Sequence, residues 1–292
     1  MTGFSVMKYP LIIRDFFDSS TIENQRSNWF FLKNTSCFTR KTMALRTIIA
    51  HFVSKNIFFL VMVMFSGLFW PIITLAHFSP SFGRYYYAIL IRVFCSIEDD
   101  KTLRQELFAC LQPNLRILEV GPLDSSLGLL PKGSKMTTLE LNPLLQIKRD
   151  QVAKMYPDIV IENILVGNIE DVRQVLPQGN CFDVIICTHV VCCIKNKEKA
   201  VKEMHRLLKP NGRLLFLDIV MYDKKLNPLS FWLQRLLHPL HRFVTLGCRA
   251  GGYDAEALIS RNEFDVSGLK YTFDDSKPFP YQTYYYGSGV KM

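Results

Sequence analysis

KEKAVKEMHRLLKPNGRLLFLDIV, residues 197–220, decides the fold. Val201, Met204, Leu207 and Leu208 recur at helical spacing and give one apolar face, so a helix is expected over 197–208. Lys209-Pro210-Asn211-Gly212 then carries the residues that stop a helix and turn the chain. A strand is expected over 213–220, where Leu214–Leu217, Ile219 and Val220 are apolar. Working outward, short apolar segments at 182–187, 159–165, 136–141 and 115–120 repeat the strand signal, with helical stretches between them. That alternation predicts an α/β fold, a parallel sheet with helices on both faces. Its ligand would bind at the carboxyl ends of the strands. Two late runs, 269–273 and 282–290, supply a closing antiparallel pair and make the sheet mixed.

Several polar residues fall at the strand ends. Glu140 closes the second strand, 21 positions beyond Glu119. A nucleotide-binding sheet uses an acid there to accept hydrogen bonds from both ribose hydroxyls; the competing reading is a solvent-exposed strand-end glutamate. Asn142 as N-cap and Pro143 at the first helical position predict a helix running through Leu144, Ile147 and Val152. His189 follows the fourth strand at the expected mouth of the site, as a catalytic imidazole or as a packing histidine bonded to backbone.

The N-terminal third is different. Residues 57–76, IFFLVMVMFSGLFWPIITLA, hold no charge over a length that crosses a ~30 Å hydrocarbon layer, and predict a membrane anchor in contact with lipid. Pro71 interrupts the run and admits a kinked or re-entrant form. The expected organisation is an extension over 1–42, an anchor segment over 43–83, a helical connector over 84–113 and an α/β domain over 114–292. Of the +9 formal charge, nine Lys/Arg against three Asp/Glu lie within residues 1–84. That placement suits anionic headgroups beside an anchor and argues against nucleic acid, which needs a basic stripe on the folded domain. The eight cysteines form no CxxC pair and are expected to be reduced core thiols. No metal site is expected, because adjacent Cys192 and Cys193 on an extended strand end point apart.

LEVGPLDSS (118–126), LELNP (139–143), GNIED (167–171), FDVIICTHVVCCIKN (182–196) and EMHRLLKPNGRLLFLD (203–218) together resemble a class I S-adenosylmethionine (SAM)-dependent methyltransferase. With FWLQ (231–234), GC (247–248) and YYYG (284–287), the likeness narrows to the membrane-associated thiol S-methyltransferases. The resemblance implies a Rossmann-like sheet and S-adenosyl-L-methionine as cofactor. It also implies a small, apolar thiol as methyl acceptor and a domain facing the cytosol from endoplasmic reticulum or lipid-droplet membranes. Carried over by position, Glu119 and Gly121 line the cofactor loop and Glu140 binds ribose. Asn168 and Ile169 lie by adenine, while Thr188 and His189 border the methyl-transfer mouth. The sequence departs from the family's G-x-G-x-G loop, keeping Gly121 but placing Leu123 and Ser125 at the later positions. A membrane-tethered protein that no longer binds SAM is therefore the second reading, and SAM with a quinone or lipid hydroxyl acceptor a third. The lack of G-x-G-x-x-G after the first strand and of Tyr-x-x-x-Lys in the helix after the fourth argues against a nucleotide-dependent dehydrogenase.

Overall fold

A computed structural model describes residues 67–97, 101–121, 124–249, 251–274, 277 and 279–292. Contacts divide the chain into Met1–Lys55 and Asn56–Met292, and every described residue lies in the second unit. The elements run α1 (Trp70–Phe78), α2 (Pro80–Ile97), α3 (Lys101–Phe108), β1 (Arg116–Val120), α4 (Asp124–Leu127), β2 (Lys135–Glu140), α5 (Arg149–Met155), β3 (Val160–Val166), β4 (Phe182–Thr188), α6 (Lys197–Leu207), β5 (Leu208–Ile219), α7 (Pro228–Val244), α8 (Ala255–Ser260), β6 (Phe264–Phe273) and β7 (Thr283–Lys291). Short 3₁₀ turns at Pro143–Leu145, Ile169–Gln174 and Val191–Cys193 carry the chain out of β2, β3 and β4.

The seven strands form one sheet in the order β3-β2-β1-β4-β5-β7-β6. The first five are parallel; β7 enters antiparallel between β5 and β6. The order reverses between β1 and β4, so the crossovers on either side leave by opposite faces and open a crevice at the carboxyl ends. The two-residue side-chain period sorts the core. Leu118, Ile185, Leu214 and Phe216 pack under α6 and α8, whereas Ile117, Val184, Ile186 and Leu215 pack under α3 with Tyr284. The α6 face is the one read from sequence: Val201, Met204 and Leu207 have no exposed surface. Truncating Met204 to alanine there costs about 2–5 kcal/mol.

Three expectations change. The helix predicted from Asn142 is a single 3₁₀ turn, in which the Asn142 side chain accepts from the Leu144 amide, and the α-helix begins only at Arg149. The cap was right, but Gln146 is extended and breaks the run. Residues 209–212 do not leave the sheet either. They extend β5 across a register shift opposite Phe182 and Val184, with Asn211 at φ 60°. Third, of the expected anchor 57–76 only the end is described, and Pro71 lies in the first turn of α1, a position that tolerates proline, rather than inside a helix. Among the described residues no helix is long and apolar enough to cross a membrane. Residues 1–66, with the expected extension and most of the anchor, lie outside those described.

Candidate active site

A cavity of about 1190 Å³ opens at the carboxyl ends of β1, β2 and β4, beneath α1 and α2. Gly121 directly follows β1 at φ 65°, and a β-carbon built there would sit 2.4 Å from Val190 Cγ2. Only glycine suits both the positive φ and the close approach. Glu140 ends β2. One carboxylate oxygen accepts the Asn142 amide at 2.7 Å, and burial lifts its carboxyl above the usual range against that bond. Asn142 in turn donates through Nδ2 to the Arg84 carbonyl of α2 at 2.9 Å. Beyond β3, Asn168 caps the 3₁₀ turn by accepting from the Glu170 amide, and Ile169 lies buried beside it.

The far wall is built on β4. Thr188 Oγ1 accepts from Arg104 Nη1 at 2.9 Å, and the same nitrogen donates to Ser126 Oγ, so α3 holds the strand end from below. His189 follows at φ 56°, a strained position for a β-carbon-bearing residue, and its ring meets Tyr284 edge-on at 6.1 Å. Asp218 of β5 is completely buried and accepts the Cys192 amide and the Tyr253 hydroxyl, both at 2.7 Å. Burial raises its carboxyl pKa, while His189 and Tyr253 pull it down.

Three thiols complete this wall. Cys192 Sγ stands 3.5 Å from Cys248 Sγ and 3.6 Å from Cys193 Sγ. Adjacent Cys192 and Cys193 converge because Val191–Cys193 is a 3₁₀ turn and not the extended strand end expected from sequence. Hydrogen bonds from the Cys192 and Cys248 thiols and the Tyr87 hydroxyl, with the charge of Lys197, hold Cys193 well below the usual thiol range. His241 of α7 closes the cavity, its Nε2 3.1 Å from the Tyr281 hydroxyl, and burial pushes its pKa down to about 4.

Residues 121–216 match the family described as a methyltransferase domain. That match implies S-adenosyl-L-methionine as the cofactor. More narrowly, the chain is similar to the thiol S-methyltransferase TMT1A of Homo sapiens, 27% identical over 152 residues covering 50% of this chain and 61% of that protein. TMT1B of the same organism is 29% identical over 118 residues, 40% of this chain and 47% of that one. A ubiquinone/menaquinone biosynthesis C-methyltransferase of Pseudoalteromonas translucida is 32% identical over 118 residues, 38% and 46% of the two chains. The matched stretches thus span roughly half the length of these relatives. A SAM-dependent methyltransferase of Thermotoga maritima, a possible histamine N-methyltransferase, superposes with TM-score 0.47 at 16% identity over 72% of this chain and 98% of that one.

The cavity fits the cofactor's nucleoside end. Glu140 offers a carboxylate at the strand end, Leu139 and Ile169 an apolar slot, and Gly121 an approach without a side chain. Gly121, Glu140, Asn168, Ile169, Thr188 and His189, all expected from sequence, line this one cavity. Glu119 does not. It shares the strand face of Ile117, 1% exposed under α3, because it still lies within β1, where side chains alternate between the two packed faces, whereas Gly121 lies beyond the strand's end. Leu123 lies outside the described residues. Sequence reasoning gave no site role to Arg104 or Asp218 and read the three thiols as core packing, although the CC at 192–193 and the GC at 247–248 were the signals for them.

Proposed function

We propose that the domain holds SAM in this cavity and transfers its methyl group to a small, apolar thiol at a membrane surface. The observation that carries this reading is one cavity lined by both the strand-end carboxylate of Glu140 and the imidazole of His189. The cofactor supplies a methyl group on a sulfonium, an electrophile that needs no acid to leave. Glu140 would accept the ribose hydroxyls, and Ile169 with Leu139 would enclose the adenine. A thiol entering beside Thr188 and His189 gives its proton to the His189 imidazole, with the Asp218 carboxylate behind it. With an ordinary pKa of ~8.5, a thiol already supplies some thiolate at neutral pH, so positioning and exclusion of water provide much of the acceleration.

The acceptor class draws on the human relatives named as thiol S-methyltransferases. The membrane surface rests on apolar side chains facing out. Leu229, Trp232 and Leu236 recur along one face of α7, and Leu68, Trp70, Leu75 and Phe78 are exposed on or beside α1. The two helices are joined by stacking of Trp70 on Phe243 at 4.2 Å. Lys224 and Arg235 flank Trp232 at 5.3 and 5.7 Å from its ring, a composition suited to an anionic interface. The cytosolic face of the endoplasmic reticulum or of lipid droplets is the location we propose.

Titration calorimetry of the full chain with SAM and with its demethylated product tests the reading. Micromolar binding, weakened at least about tenfold by Glu140→Ala through loss of charge-assisted bonds, is expected. Undetectable binding of both to folded protein overturns it in favour of a membrane-tethered protein without cofactor. If SAM binds but no alkyl thiol is methylated, the acceptor is a quinone or lipid hydroxyl.

A further inference from the structure

We propose that Cys192, Cys193 and Cys248 form a three-thiolate Zn²⁺ site whose fourth coordination position opens into the cavity and receives the acceptor thiol. This deepens the thiol-methylation reading and rests on it for the identity of the fourth ligand.

The three sulfurs all lie within 4.8 Å of one another. Zn–S bonds of ~2.3 Å at tetrahedral angles place sulfurs roughly 3.8 Å apart, so the Cys192–Cys193 and Cys192–Cys248 separations of 3.6 and 3.5 Å change by a few tenths on binding. The backbones that carry them are already fixed. Asp218 takes the Cys192 amide, the Arg249 amide donates to the Cys192 carbonyl at 2.8 Å, and Lys197 Nζ donates to the Cys192 and Ile194 carbonyls. Arg249 directly follows Cys248, so its bond to Cys192 ties the two ligand segments together. The Tyr87 hydroxyl donates to Cys193 Sγ at 3.4 Å, the outer-shell contact that orients a thiolate ligand. Three thiolates on Zn²⁺ leave one negative charge, and Lys197 places a positive charge beside it.

Among the described residues no fourth His, Cys, Asp or Glu joins this group. A structural zinc site is closed by four protein ligands, whereas three ligands and an open position define a catalytic one. Here the open side faces the cavity, since all three cysteines line it together with His189. Simple packing of small apolar side chains does not require three sulfurs from two separate segments to meet on a cavity wall. In the step itself, the acceptor RSH would displace a water from Zn²⁺ and give its proton to the His189 imidazole, which lines the same cavity. A sulfur lone pair then forms the new C–S bond to the methyl carbon. The methyl–sulfonium bond breaks with its electron pair going to the sulfonium sulfur, leaving the methyl thioether and the neutral demethylated cofactor.

The test uses the full chain, reduced and kept anaerobic. After equilibration with Zn²⁺ and removal of free metal, elemental analysis should find about one zinc per chain, falling several-fold in Cys248→Ser and in Cys193→Ser but not in Cys110→Ser. Circular dichroism identifies any variant that fails to fold. Substituting Co²⁺ should give the visible absorption of a tetrahedral thiolate complex, and adding an alkyl thiol should shift it. No zinc retained by folded wild type overturns the site, as does recovery of these cysteines as a disulfide from the reduced preparation. A Co²⁺ spectrum unmoved by thiol overturns the open position. Failure of the methyltransferase reading registers separately, as absent SAM binding by calorimetry while the zinc stoichiometry stands.

Discussion

Gly121→Ala isolates the geometric demand at the end of β1. At φ 65° a residue with a β-carbon is left-handed, which costs about 1–2 kcal/mol. The new carbon would also lie 2.4 Å from Val190 Cγ2, and turning that valine off its preferred rotamer adds about 0.5–1.5 kcal/mol. Alanine restricts the unfolded chain and recovers about 0.4–1 kcal/mol. The net loss is roughly 2 kcal/mol, which at a urea m-value of about 2 kcal/mol/M moves the unfolding midpoint down by about 1 M. The two causes separate in a double-mutant cycle. Val190→Ala removes the steric part and leaves the backbone part, so the pair should show a favourable coupling of about 1 kcal/mol. A midpoint for Gly121→Ala within about 0.2 M of wild type, or no coupling to Val190→Ala, would refute the argument.

Other perturbations reach different parts of the molecule. Replacing Arg104 by leucine leaves the buried Thr188 and Ser126 hydroxyls without their donor and should cost about 2–4 kcal/mol in chemical denaturation; a loss under 0.5 kcal/mol would show that α3 does not hold the β4 end. Burial alone would raise the Glu203 carboxyl, but Arg206 at 2.6 Å and Arg173 at 2.8 Å hold it below its ordinary value. Its contribution is therefore present above the unfolded-state pKa of ~4.3 and is lost as pH falls through the lower folded value. Glu203→Gln should accordingly flatten the acid side of the stability curve, by about 1 kcal/mol because Arg173 is largely exposed, with unchanged curvature counting against the ion pair. Trp232→Glu with Leu236→Glu should reduce co-flotation with anionic vesicles several-fold at constant fold, and equal flotation would move the lipid contact away from α7.

Sequence made the sheet legible because its central strands are buried on both faces and its helices on one, so period and apolar content agree at those elements. The 197–220 segment is the clearest case: Met204 and Leu207 belong to one face and one core. Strand ends were equally readable, since Glu140 and His189 sit where an apolar run stops. What stayed hidden depends on the third dimension. Glu119 and Gly121 differ by two residues, yet one packs under α3 and the other faces the cavity, because the strand ends between them. Cys192 and Cys248 are brought to 3.5 Å by α7 folding back across the sheet end, a distance no local pattern encodes. Arg104 gave no sign of its role because its hydroxyl partners lie 22 and 84 positions away.

Asn142 joins two parts of the molecule through one side chain and one amide: it donates to Arg84 on α2 and also to the carboxylate of Glu140. Anything that displaces α2 therefore changes the hydrogen bonding of the group placed to take the cofactor. If one such bond of about 1 kcal/mol is made in one position of α2 and broken in another, affinity at Glu140 differs about fivefold between them. By reciprocity the cofactor biases α2 by the same factor. Occupancy of the strand-end site and the posture of the helix covering it are then a single coupled equilibrium, with a ceiling set by one asparagine.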